Sequence, residues 1–248
     1  MFPIDLRIWL NHFEYHAGHP RAVPPGLPDQ LTAGERQRIA RSIATFQLGE
    51  ESERGTLLKA AERCAAERAV PALVRITELF ICEEQHHAAL LRGFMQYHGI
   101  ALRSRDWTDR VFRRVRRLAG LELYLHVLIT AELIGIVYYR ALEAATGCKR
   151  LQVLCRMLVN DERAHVGYES HLLLALKADR PPLLQALVRF AHRGFFACTA
   201  TVVWLTHRPV LRHAGYTVRS FLKVCFAQYA FYLEPVTPRW RSKNLTTT

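Results

Sequence analysis

Two short runs decide how this chain reads: Glu83-Glu84-Gln85-His86-His87 and Asp161-Glu162-Arg163-Ala164-His165. In each, a glutamate precedes a histidine by three positions, so on an α-helix the two side chains share a face one turn apart. The neighbouring apolar residues identify that face. Around the first run Leu73, Ile76, Phe80, Glu84, His87, Leu91 and Phe94 step by three or four. Around the second, Leu151, Leu154, Leu158, Glu162, His165, Glu169 and Leu172 do the same. Carboxylates and imidazoles therefore stand in the middle of stripes that are otherwise aliphatic. A buried charge without a partner is strongly unfavourable, so such a core must supply something positive, and metal ions do so.

Two further helices supply matching carboxylates. One starts at the capping box Thr32-Ala33-Gly34-Glu35, runs to about Glu67, and carries the stripe Ile39, Ile43, Phe46, Glu50, Glu53, Leu57, Cys64. The other reaches Thr146 from a start near Arg110 or Leu121, with the stripe Leu118, Leu121, Leu125, Leu128, Glu132, Ile136, Tyr139. Facing residues of an antiparallel hairpin lie about equally far from its turn. The separations 162 − 132 = 30 and 84 − 53 = 31 agree, whereas 84 − 50 = 34. Glu53 is thus the preferred mate for Glu84, with Glu50 as the alternative. Pro71 suits a first helical turn, Gly99 a C-terminal cap and Gly147 a tight turn. No strand alternation persists anywhere, so the expected class is all-α: two antiparallel hairpins joined by a crossover at about 100–118.

The runs EEQHHAALL (83–91) and DERAH (161–165) resemble the ligand helices of ferritins, rubrerythrins and acyl-carrier-protein desaturases. The stretches FQLGEESERGTL (46–57) and AELIGIVYYRAL (131–142) resemble bacterial ferritin-like-domain proteins. The resemblance covers residues 30–178 and implies a ferritin-like di-iron carboxylate bundle. It implies Glu84 and Glu162 as bridging ligands, Glu53 and Glu132 as terminal ones, and His87 and His165 as one nitrogen ligand each. Two iron ions are the expected cofactor, with manganese as a substitute, because a carboxylate-rich, nitrogen-poor set suits these metals. Asp161 and Glu83 are expected to accept the outer N–H groups of the ligand histidines. Glu169 is read as a carboxylate at the bundle end, with a further ligand or a gate as the alternative. Tyr139 and Tyr138 are read mainly as core residues, and His126 and His171 as ordinary polar positions.

Outside the bundle, 1–30 reads as an N-terminal arm with a short amphipathic piece (Ile8, Trp9, Phe13, Tyr15) and a proline-rich connector. Residues 179–248 read as a helical extension and tail, with helices near 183–206 and 216–233 separated at Arg208-Pro209. The six cysteines form no C-x-x-C pair, and no basic, apolar leader opens the sequence. The most apolar stretch is taken as Phe195–Leu205, too short to span a bilayer, so a cytoplasmic location is expected. The net charge of +12, with arginines at 103, 105, 110, 113, 114, 116 and 117, raises an anionic substrate or acidic carrier protein as partner. A basic nucleic-acid-binding module would leave the ligand stripes unexplained and is disfavoured. The expected function is an O2-activating oxidase, oxygenase or desaturase-like enzyme on a small or acyl-type organic substrate, with a separate electron donor. Iron handling or peroxide scavenging is the alternative. The pocket is expected to be lined by Ile43, Phe46, Phe80, Leu128 and Ile136, and extended by Phe195, Phe196, Val202, Val203 and Trp204. A homodimer through the 32–67 and 71–99 helices is the ordinary assembly.

Overall fold

The structure, a computed structural model, describes residues 5–51, 54–104, 114 and 120–234. All regular structure among them is helical: α1 (Arg7–Gly18), α2 (Ala33–Glu50), α3 (Arg54–Arg68), α4 (Ala72–Tyr97), α5 (Leu121–Ala144), α6 (Lys149–Lys177), α7 (Pro182–His213) and α8 (Val218–Leu233). Local chemistry accounts for several boundaries. Thr32 and Glu35 form the reciprocal capping box that opens α2. Gly99, at φ 61°, turns the chain after α4 so that the Ile100 amide reaches the Met95 carbonyl at 2.8 Å. α5 and α6 are joined by four residues, 145–148, which makes them antiparallel neighbours.

α5 is the central element and packs against α3, α6, α7 and α8. It is buried nearly all round, which accounts for its sequence. Among the described residues it is also the one helix long and apolar enough to cross a membrane, and most of it lies inside the protein. The longest apolar segment is therefore Leu121–Ala144 rather than Phe195–Leu205. α4 packs against α1, α2, α3 and α6. One continuous core runs from Phe13 of α1 through the middle helices to Phe196, Trp204, Phe221 and Tyr229 of α7 and α8.

One helix boundary differs from expectation. The helix expected over 32–67 ends at Glu50, and a separate helix begins at Arg54. Arg92 of α4 pairs with Glu51 at this break, giving the chain a polar anchor where the helical ladder stops. Near the expected separation at Arg208-Pro209, α7 does break its regular geometry: His207 (φ −112°, ψ 15°) is a kink at which two helical segments meet, and it accommodates the missing N–H and the ring of Pro209. The short second segment ends before Gly215 (φ 85°), which is followed by the Thr217–Ser220 capping box of α8. Of the arginine-rich connection, Arg105, Arg110, Arg113, Arg116 and Arg117 lie outside the described residues, as do Trp107 and Leu118.

Candidate metal centre

The periodicity of α4 and α6 puts Glu84, His87, Glu162 and His165 on buried faces, and the packing of the two helices brings them together. Their ligand atoms lie within 4.8 Å of one another, as in a group able to hold a metal ion. His165 Nδ1 stands 3.1 Å from Glu84 Oε1 and 3.2 Å from Glu162 Oε2. His87 Nδ1 stands 3.6 Å from Glu84 Oε1 and 3.5 Å from Glu162 Oε1. Both rings thus turn Nδ1 inward. Each Nε2 points outward to a carboxylate on the opposite helix: His87 to Asp161 and His165 to Glu83, both at 3.3 Å. The residue before each central glutamate orients the histidine across the pseudo-two-fold, as metal-binding imidazoles require.

α2 and α5 add carboxylates to the same place. Glu50, at the end of α2, brings Oε2 to 4.0 Å from His87 Nδ1 and accepts a hydrogen bond from the Tyr139 hydroxyl. Glu132 of α5 is buried and feels the charges of Glu162 and Glu84. Glu169, one turn beyond His165, has no exposed surface. Glu53 lies outside the described residues, and the carboxylate that α2 presents to this cluster is Glu50.

So many acids in one dry space compete for charge. Burial, reinforced by the charges of Glu84 and Glu162, pushes Glu50 and Glu132 well above the usual carboxylate range. Burial likewise pushes Glu169 up. Burial works against a charge on His87 and His165, yet their carboxylate partners outweigh it and raise both. Protons are thus drawn into the cluster wherever its negative charge is uncompensated. Hydrogen bonding still leaves Glu84 Oε1, His87 Nδ1, Glu162 Oε1 and both oxygens of Glu169 buried without a partner. Unsatisfied buried acceptors of this kind are what cations would satisfy.

Periodicity says little about the layer outside these residues. α1 lies over α4, and Phe13 stacks on His165 with ring centroids 5.9 Å apart. His16 Nδ1 is 2.9 Å from Glu83 Oε1, and the Arg21 guanidinium is 2.6 Å from Asp161 Oδ1. With His165 and His16 both bonded to it, Glu83 is held down to about 2 although burial opposes its charge. The His86 ring in turn donates to the Arg21 carbonyl at 2.6 Å. Gly167 of α6 lets this arm sit close, because a Cβ there would meet Trp9 at 3.0 Å. The one local clue was the spacing of Phe13 and His16 on a single face of α1.

On the side facing α2, α5 and α7 the cluster borders a cavity of about 170 Å³. Phe46, Phe80, Leu128, Val202 and Val203 line it, with Glu50, Glu84, Glu132 and Glu162 at one wall and Thr199, Thr206 and His207 elsewhere. Ile43, Ile136, Phe196 and Trp204, expected at this pocket, belong to the solid core instead. Phe195 is likewise not part of the lining. His207, at the kink of α7, is bonded through Nδ1 to Ser42 at 2.8 Å, and Ser42 donates to Tyr138 at 2.9 Å. His126, read as an ordinary polar position, is buried beside His192. His171 accepts from the Trp9 indole at 3.2 Å and helps to hold α1. Comparison of the chain with protein-family models, with curated proteins and with solved structures finds no match.

Proposed function

We propose that this chain is a ferritin-like di-metal carboxylate protein whose metal centre activates dioxygen to oxidise a small apolar or acyl-type organic substrate. α2, α4, α5 and α6 would be the four ligand-bearing helices. Glu84 and Glu162 would be shared between two metal ions, Glu50 and Glu132 would each complete one ion, and His87 and His165 would give one nitrogen each. The charges close: four carboxylates with neutral imidazoles carry −4, and two divalent ions carry +4. Iron or manganese suits this oxygen-rich set. Bound ferrous iron would supply the electrons that dioxygen needs.

The observation that carries the oxidase reading is the apolar cavity against the carboxylate wall. A site that only stored or oxidised iron has no use for a space lined by Phe46, Phe80, Leu128, Val202 and Val203. In the proposed reaction those side chains hold the substrate and keep water away from the metal wall, while Asp161 and Glu83 fix the orientation of both histidines. Anaerobic loading with ferrous iron tests the reading: two equivalents should bind per chain. Oxygen exposure with fatty-acyl, aldehyde and arylamine substrates and a reductant should then yield an oxidised organic product. Consumption of oxygen or peroxide without such product would favour iron handling or scavenging, and failure to bind iron would end the proposal.

A further inference from the structure

We propose that the outer face of α7 is a docking surface for an anionic lipid bilayer. From Arg180 to Leu233 the chain contains no aspartate or glutamate but seven lysines and arginines, two of which, Arg180 and Arg193, pair with Glu122 and Glu234. Among the described residues, seven of the twelve exposed large hydrophobic side chains fall in this same stretch. On α7 they are ordered. Leu183, Leu187, Phe190, Gly194, Cys198, Thr201 and Leu205 follow one another at helical steps of four or three, all are exposed, and none is charged. Leu183 is 84% exposed, Phe190 75% and Leu205 66%. Before the kink at His207 this makes a stripe about 33 Å long at 1.5 Å per residue. Arg208 and Arg212 continue it at its end, and Arg189 stands exposed beside it.

An exposed apolar stripe flanked by basic residues is the pattern of a helix that lies in a membrane interface. Charge complementarity selects the occupant. A second copy of this chain would bring Arg189, Arg208 and Arg212 against their like. An acidic protein would need matched pockets for four large protruding side chains on a convex helix, whereas a bilayer interface accepts them in any register. The opposite face of α7 contributes Thr199, Val202, Val203 and Thr206 to the cavity. One helix diameter, roughly 10 Å, therefore separates the cavity from the proposed lipid surface. The inference does not depend on the metal centre.

Vesicle flotation with the full chain tests it, comparing neutral phosphatidylcholine with phosphatidylcholine containing 30% phosphatidylglycerol (roughly the charge density at which basic helices respond). The expected result is binding to the anionic vesicles only, weakened by salt, and reduced at least ~10-fold in Leu187→Glu/Phe190→Glu. Both positions are exposed, so the variant should keep its circular dichroism. If it does not, Leu183→Ser/Leu187→Ser makes the same comparison. Equal binding to neutral vesicles, or unchanged binding of the folded variants, overturns the proposal. So does a dimer that these substitutions dissolve while vesicles bind nothing, which would assign the stripe to a second copy. Retention by an acidic protein in the absence of any vesicle binding would likewise overturn it.

Discussion

The Tyr139 hydroxyl donates a hydrogen bond to the Glu50 carboxylate inside the core, tying the last turn of α2 to the C-terminal part of α5. The contact selects Glu50 as the carboxylate that α2 contributes, although spacing along the chain favoured Glu53. Spacing arguments assume an unbroken helix, whereas α2 ends at Glu50, and Glu53 lies outside the described residues.

The first prediction follows from that contact. Glu50→Ala should lower iron stoichiometry below two per chain, while Glu53→Ala should leave it near the wild-type value. Metal analysis after anaerobic loading and desalting reads both. Tyr139→Phe should retain the iron but alter its absorption spectrum, because the phenol orients one ligand oxygen without being a ligand.

The outer carboxylates predict a second effect. Asp161→Ala and Glu83→Ala should each weaken metal binding by about 10–100-fold, the usual cost of removing the group that orients a ligand histidine. Arg21→Ala should show a smaller loss through Asp161, since Arg21 is partly exposed and acts at one remove. Competition with a chelator of known affinity gives the ranking. Equal affinity in wild type and Asp161→Ala would mean that the His87 contact is incidental.

The cavity predicts a separation of binding functions. Gly49 and Ala131 are the exposed members of its lining, which places a mouth between α2 and α5. Ala131→Trp should weaken binding of an apolar probe by ~10-fold, about 1.4 kcal/mol, and leave iron stoichiometry unchanged. Fluorescence titration with a fatty-acid analogue, run beside the metal analysis, checks the pair of outcomes.

His192 predicts a pH dependence remote from the metal centre. Burial, assisted by His126, pushes this imidazole down to about 3 from an ordinary 6.5. It is held neutral: Nε2–H donates to the His126 carbonyl at 3.1 Å, and Nδ1 faces the Tyr229 hydroxyl at 3.3 Å. The unfolded chain takes up a proton below pH 6.5 and the folded chain does not until about 3. Stability from this site is therefore full above 6.5 and is lost as pH falls towards 3, by up to ~1.4 kcal/mol per pH unit. Urea midpoints from pH 7.5 to 4.5 should fall more steeply for wild type than for His192→Gln. Parallel slopes would show that the ring is protonated in the folded protein.

Helical periodicity was enough to establish that the chain is helical, and that Glu84 and His87, Glu132, and Glu162 and His165 occupy apolar faces. Within one helix the fixed turn dictates which side chains point together. The outward partners of the two histidines were legible for the same reason, since Asp161 and Glu83 are one residue from the central glutamates. Packing between segments far apart in the chain settled the rest: the end of α2 at Glu50, the seating of His16 and Arg21 on the outer carboxylates, and the cavity wall from α7. Local propensity carries no record of such contacts, because the energy that fixes them appears only when the surfaces meet.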